Sequence, residues 1–292
     1  MNMKEQIVSK VSSFPTLPAM AGKLLNLLND PDVTGSDIGK VVQYDPALTA
    51  NLMKAANSAY LGVATQVNSI NEAIFRLGSK WIFQIAVSSL IYSNLRRPVS
   101  GYDLSGEDLW RHSIAVGLMA DILNRELKIK DVGLAFTGGL LHDMGKIIMG
   151  EFIDDKFEEI ENTVHDQKLS FEQAEEKILG VDHPEIGALI AENWKFPAPL
   201  VDCIRYHHDP EAAPEIHQSI DLVHIADALC LMQGYGVGRD GINYKPNSNS
   251  VDRLKLTTTI IEKATSQLNT SLEEVDNLIK ESPAPEAVGR FS

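Results

Sequence analysis

Apolar residues recur at three- and four-residue spacing along almost the whole chain, and no segment alternates convincingly as a strand would. Residues 17 to 28 place Leu17, Met20, Leu24, Leu27 and Leu28 on one stripe, which Asn29-Asp30-Pro31 ends. Ser36-Asp37 opens a short helix through Val41-Val42. Asp45-Pro46 starts the next, carrying Leu48, Leu52, Met53 and Ala56, with Asp as the cap and Pro at the first helical position. Ser69 and Glu72 stand at capping-box spacing before Ala73-Ile74-Phe75-Arg76-Leu77, and Gly78 follows where a helix would end. Residues 80 to 95 are apolar on most sides, which predicts a central helix of a bundle.

Turn formers interrupt the pattern at Arg96-Arg97-Pro98-Val99-Ser100-Gly101, and a boundary between two helical modules is expected there. Beyond it, Ser105 and Asp108 supply a cap and an acidic first turn for a helix to about Leu127. A second helix is predicted over about Val132 to Gly150, a third from His183-Pro184 to Trp194, a fourth from Pro199 to His208 and a fifth from Gln218 to Leu231. The Gly- and Asn-rich residues 234 to 250 read as a separating loop. Residues 251 to 280 read as two helices, the second opened by Ser271 with Glu274 at capping-box spacing, before a fraying tail at Ser282-Pro283-Ala284-Pro285-Glu286. The expectation is an all-α, two-part helical bundle. Residues 1–98 form an N-terminal bundle, 99–233 a second helical domain, and 234–292 a loop with C-terminal helices.

Composition narrows the class. The 292 residues suffice for one large domain or two ordinary ones, and the 44% hydrophobic content is usual for a globular protein. No stretch approaches the roughly 20 apolar residues of a membrane span. Met1-Asn2-Met3-Lys4-Glu5-Gln6 lacks the apolar core and cleavage site of a signal peptide, so a cytoplasmic location away from membranes is expected. A formal charge of -14 argues against bulk nucleic acid binding, since only local basic spots such as Arg96-Arg97 with Lys80 remain. Cys203 and Cys230 lie in apolar helical sequence and read as buried, reduced thiols.

The helices carry His112, His142-Asp143, His183, His207-His208 and Asp227, the side-chain types of a divalent metal site. His-Asp pairs alone are weak evidence: about half a pair is expected at random. The chain holds three, including His165-Asp166 and His208-Asp209, so order and helical setting carry the inference. Asp227 lies among Val223, Ile225, Ala226, Ala228 and Leu229, where a carboxylate needs a metal or a hydrogen-bonded His. Asp108 stands one turn before His112, and His142 and Lys146 share a helical face. The competing reading is a buried polar cluster satisfying itself, with His183 and His207 as helix caps, Asp108 as a solvated first-turn acid and Lys146 as an ion-pair partner of Asp143. His165, His217 and His224 read as structural or surface groups. Asn57-Ser58 reads as a local turn device.

Several motifs together resemble the HDOD module, a variant of the HD phosphohydrolase superfamily. They are Phe14-Pro15-Thr16-Leu17-Pro18, Asp45-Pro46-Ala47-Leu48-Thr49, Ala56-Asn57-Ser58-Ala59-Tyr60, Ser69-Ile70-Asn71-Glu72-Ala73-Ile74 with Leu77-Gly78, Leu140-Leu141-His142-Asp143-Met144-Gly145-Lys146, and Tyr206-His207-His208. The resemblance implies N-terminal HDOD helices packed on an HD-superfamily core. It also implies one or two divalent ions, with Fe, Mn or Ni favoured over Zn, held by His112, His142, Asp143 and Asp227 and, as in the HD-GYP branch, by His183, His207 and His208. HD-GYP phosphodiesterases continue with an Arg-rich, Gly-Tyr-Pro-containing stretch, whereas this chain reads His208-Asp209-Pro210-Glu211-Ala212-Ala213, and Gly234-Tyr235-Gly236 is no substitute. That departure argues against cyclic dinucleotide hydrolysis and leaves other phosphoesters open.

Two functions follow as expectations. One is a signalling module whose N-terminal bundle binds a partner protein or signal while the metal plays a structural or sensory part. The other is a metal-dependent phosphohydrolase acting on a nucleotide or another phosphorylated small molecule. There Asp143 bridges two ions, Lys146 stabilises phosphoryl charge and His208 or Asp108 moves a proton or completes the shell. No Arg and aromatic cluster for reading an anionic substrate surrounds the ligands, which favours the first.

Overall fold

The structure, a computed structural model, describes residues 2–16, 22–24, 27, 34–43, 49–50, 52–53, 56–57, 67–129, 134–236, 238–240 and 244–280. Thirteen α-helices and two 3₁₀ turns are bounded among these residues, with further helical residues at 22–24, 49–50, 52–53 and 56, and the only pairing of extended backbone among them is an isolated Val99–Leu104 bridge. The all-α expectation holds. Most of the stripe at 17–28, the start at Asp45-Pro46, Ser58-Ala59-Tyr60 and the tail beyond residue 280 lie outside the described residues.

Several helix ends follow the local chemistry read from the sequence. Ser105 caps the Gly106–Glu126 helix by accepting the Asp108 N–H while the Asp108 carboxylate reaches back to the Ser105 N–H. Ser69 caps Ile70–Leu77, and Gly78 closes it at φ +82°, a conformation open to glycine. Asp182 caps His183–Asn193, with Pro184 in its first turn. Asn57 clips a turn together, its side-chain amide donating to the Met53 and Val67 carbonyls and accepting the Val67 N–H.

One buried apolar cluster runs from Ile7 through Leu52, Ile82, Val87 and Ile91 of the N-terminal part to Met119, Phe136, Leu140 and Leu268. As predicted, the Ser79–Leu95 helix lies within it. At the N-terminus, Phe14 packs against Trp194 and the Pro15 carbonyl accepts the Trp194 indole N–H at 3.1 Å. The segment opening the chain is thereby tied to the helix that begins with His183.

Two predicted elements fold otherwise. The single helix expected over 132–150 is broken: Leu134–Leu141 ends, the backbone turns through His142 to Gly145, and Lys146–Gln167 begins. Packing causes the break. A Cβ on Gly145 would lie 2.0 Å from the His183 carbonyl oxygen, so only glycine lets the two backbones meet there. In the same way a Cβ on Gly139 would lie 2.8 Å from the Gly117 nitrogen, and this tight crossing holds Leu134–Leu141 against the helix carrying His112. The C-terminal break falls at Lys255, in left-handed conformation, and Thr258–Lys280 runs straight through Ser271. Ala264, Leu268 and Leu272 keep one apolar stripe there, and Lys263 and Gln267 both bond Glu126 of the Gly106–Glu126 helix, so tertiary packing overrides the cap signal.

Candidate metal centre

Five segments bring the seven predicted ligands to one interior point. His112 comes from the middle of Gly106–Glu126, His142-Asp143 from the turn after Leu141 and His183 from the first position of its helix. His207-His208 follow the end of Ala198–Arg205, and Asp227 comes from the middle of Gln218–Met232. His142 and His207 have no solvent exposure, and Asp143 and Asp227 are 1% exposed. The donors form two groups, each with its atoms within 4.8 Å of one another: Asp143, His183, His207 and His208, and His112, His142 and Asp227.

Asp143 stands between the groups. Its Oδ2 lies 3.3 Å from His142 Nε2 and 3.5 Å from His112 Nε2, while Oδ1 lies 3.4 Å from His183 Nε2 and 3.9 Å from His207 Nε2. One carboxylate oxygen thus faces each half of the pocket. Asp227 Oδ1 is 3.1 Å from His112 Nε2, and its Oδ2 is 3.9 Å from His208 Nδ1.

Four imidazoles are turned the same way. Nδ1 of His112 pairs with the Tyr235 carbonyl at 2.9 Å, that of His142 with Gly139 at 2.7 Å, that of His207 with Ile204 at 2.7 Å and that of His183 with the Glu175 carboxylate at 2.8 Å. Each partner only accepts, so each Nδ1 is the donor and each Nε2 turns its lone pair inward. His112 Nε2 then faces His142 Nε2 at 3.2 Å, and His183 Nε2 faces His208 Nε2 at 3.0 Å. In the His112–His142 pair two facing lone pairs need a proton or a cation between them. Asp143 Oδ1, His207 Nε2, His208 Nδ1 and both Asp227 oxygens are buried without a well-aligned hydrogen bond; Asp227 Oδ1 is near His112 but poorly directed. This donor set fits divalent ions.

The charges are set by the same contacts. Burial works against ionised Asp143, yet the neighbouring His142 and the Lys146 ammonium hold it well below the usual carboxylate range. Burial works against ionised Asp227, yet the adjacent His112 and His142 pull it down to about 2. Burial also disfavours a charged His183, but Glu175 and Asp143 push it up to about 10. Burial and neighbouring imidazoles push His207 and His208 well down.

Two expectations need correction, the one for Asp108 and the one for the segment after residue 233. Asp108 is exposed and spends its carboxylate on the helix cap, so it takes no part in the pocket. Lys146 makes buried ion pairs with Asp143 at 2.6 Å and with Asp240 at 2.5 Å. The described residues between 234 and 244, expected in a separating loop, cover the pocket instead. Tyr235 supplies the carbonyl that holds His112, and Gly236 packs against that ring. The Arg239 N–H donates to the Tyr102 carbonyl, its guanidinium lies 3.9 Å over the Phe157 ring, and Tyr244 sets its ring edge-on to His208. His224 is structural as expected, with Nδ1 2.6 Å from the His207 carbonyl and Nε2 accepting the Asn247 N–H. His165 lies on the surface beside Asp166.

The HDOD domain family matches residues 14–210. The chain belongs to the HDOD family. Among curated relatives of this HDOD chain, an uncharacterized protein of Treponema pallidum is 26% identical over 219 residues, 73% of this chain and 41% of that protein. Ribonuclease Y of Thermus thermophilus is 31% identical over 160 residues, 54% of this chain and 22% of its own length. The HDOD chain therefore spans less than half the length of either. An HDOD domain protein of unknown function from Geobacter sulfurreducens shares the fold at TM-score 0.73 and 24% identity, covering 97% of this chain and 98% of that one. No helix among the described residues is long and apolar enough to cross a membrane.

Proposed function

We propose that this HDOD chain is a signal-transduction module that docks a partner protein or signal through its N-terminal helices. It holds one or two divalent ions on His112, His142, Asp143, His183, His207, His208 and Asp227 as a structural or sensory element. The observation that carries this reading is the cover: the ligand set lies beneath residues 235–236, 238–240 and Tyr244, with Lys146 already neutralised by two carboxylates. A site turning over substrate in this state would need open access beside Lys146. The hard and borderline character of imidazole and carboxylate donors favours Fe, Mn or Ni.

A second reading, a metal-dependent phosphohydrolase, draws support from Asp143, whose two oxygens face the two halves as a bridging ligand would, and from the likeness to a nuclease, Ribonuclease Y. Bound ions would supply an activated water and charge neutralisation at a phosphoester. Lys146 and His208 would then contact the phosphoryl group and move a proton, and the cover would have to open first.

Elemental analysis of untagged protein purified without chelator, with hydrolysis of a generic phosphodiester and of nucleotides scored on the same sample, separates the two. Metal without turnover supports the regulatory module. Turnover that disappears in Asp143→Ala establishes the hydrolase, and absence of metal refutes the pocket.

A further inference from the structure

Glu175 is the most costly side chain in its helix. Phe171–Leu179 turns Phe171, Ala174 and Leu179 into the core, and Glu175 lies on that same buried stripe with no exposure. A carboxylate there costs several kcal/mol unless its oxygens are fully engaged. They are engaged. Oε2 accepts both the backbone N–H and the Nδ1–H of His183, each at 2.8 Å, and Oε1 accepts the hydroxyl of Tyr102, itself wholly buried, at 2.5 Å.

This support differs in kind from that of the other half of the pocket. His112 and His142 lean on neutral carbonyls of Tyr235 and Gly139, and the first of these belongs to the covering segment. His183 leans on a charged group anchored between two core elements. A carboxylate partner raises the basicity of a metal-binding imidazole and fixes its ring. Asp143 turns one oxygen to each half, so the halves differ in what holds their histidines.

We propose that Glu175, steadied by Tyr102, is the positioning residue for His183 and makes the His183–His207–His208–Asp143 half the tighter of two metal positions. The inference rests on the metal reading given above. It assigns the two halves different strengths and different supports, one anchored in the core and one dependent on residues 235–236.

The test uses the full chain loaded with Mn²⁺ and titrated with a competing chelator, bound metal being read by elemental analysis. Wild type is expected to release two ions in two steps. Glu175→Gln keeps an acceptor for His183 but removes the charge, and should weaken the tighter step about 10- to 100-fold while leaving the looser step in place. Tyr102→Phe should move the tighter step in the same direction by less, and decides the matter if Glu175→Gln fails to fold. Gly236→Ala, whose Cβ would come within 2.3 Å of the His112 side chain, should weaken the looser step alone. A role confined to fold stability would move both steps together. The proposal is overturned if the Glu175 and Tyr102 variants leave the tighter step unmoved or shift both equally. Should wild type hold a single ion, that ion must be the one these variants weaken. Wild type with no ion at all refutes the metal reading itself, a different result from two ions indifferent to Glu175.

Discussion

Lys146 and Asp240 meet at 2.5 Å beneath the surface, the lysine reaching from the start of its helix and the aspartate from the segment that covers the pocket. With Asp143 at 2.6 Å on the same ammonium, two of its three N–H donors serve the protein's own carboxylates. Asp240→Asn should loosen this clasp by about 1.5 to 3 kcal/mol, the usual worth of a hydrogen bond to a charged group. Amide exchange of the described residues between 235 and 240 should then quicken by about tenfold or more. Exchange as slow as in wild type would show that the ion pair does not hold the cover.

The double variant His142→Ala with Asp143→Ala removes one imidazole from the His112 half and the carboxylate that faces both halves. It is expected to lose its metal while the circular dichroism spectrum stays helical, since the Gly139–Gly117 crossing does not involve either side chain. Full metal content in this variant would contradict the ligand assignment.

The metal-free protein should be least stable at the ends of the pH scale, for separable reasons. His183 has a folded-state pKa near 10 against an ordinary 6.5, so its stabilising contribution is complete below pH 6.5 and disappears as pH rises through about 10. His207 and His208 titrate below their ordinary value, so stability falls as pH drops below 6.5, where the unfolded chain takes up the protons they refuse. An ion at the His183 half must displace the His183 proton, and metal affinity should strengthen from pH 6.5 toward 10. Thermal melts in chelator at pH 5, 6.5, 8 and 10 check the first two statements; a Tm that is flat between 8 and 10 would exclude the His183 assignment.

Arg253 supports the pocket from behind. Its guanidinium grips Asp221, which is 1% exposed on the Asp227 helix, with bonds of 2.8 and 2.6 Å, and Ser250 adds a third at 2.6 Å. Arg253→Ala leaves a buried carboxylate with one partner and should cost about 3 kcal/mol, the low end for a broken buried pair because Arg253 is partly exposed. A drop of several degrees in Tm is expected, and an unchanged Tm would mean water replaces the arginine without loss.

The seven residues that converge were legible because each is a ligand-type side chain in or beside a helix that the periodicity could place. His112 and Asp227, for example, sit where an apolar helix face cannot easily tolerate them. The break at His142 to Gly145 was not legible, since the local sequence favours a continuous helix and only the backbone of His183 forbids it. The parts played by Asp240, Tyr235 and Tyr244 were not legible because a Gly- and Asn-rich segment carries no periodicity to say which way a side chain faces. Glu175 did leave a trace: with Phe171, Ala174 and Leu179 it falls at helical spacing on one stripe, a charged residue where every other position is apolar. Asp108 misled for the opposite reason, because a carboxylate one turn before a histidine and a capping-box acid are the same letter at the same place.

The covering segment also sets a clock. With His142 and His207 wholly shielded, the exchange of an ion in this pocket would depend on the lifting of the described residues between 235 and 240 as well as on its equilibrium affinity. Brief dialysis against chelator would then under-report weak binding, and the metal carried by a fresh preparation would record what was available in the cell while the chain folded.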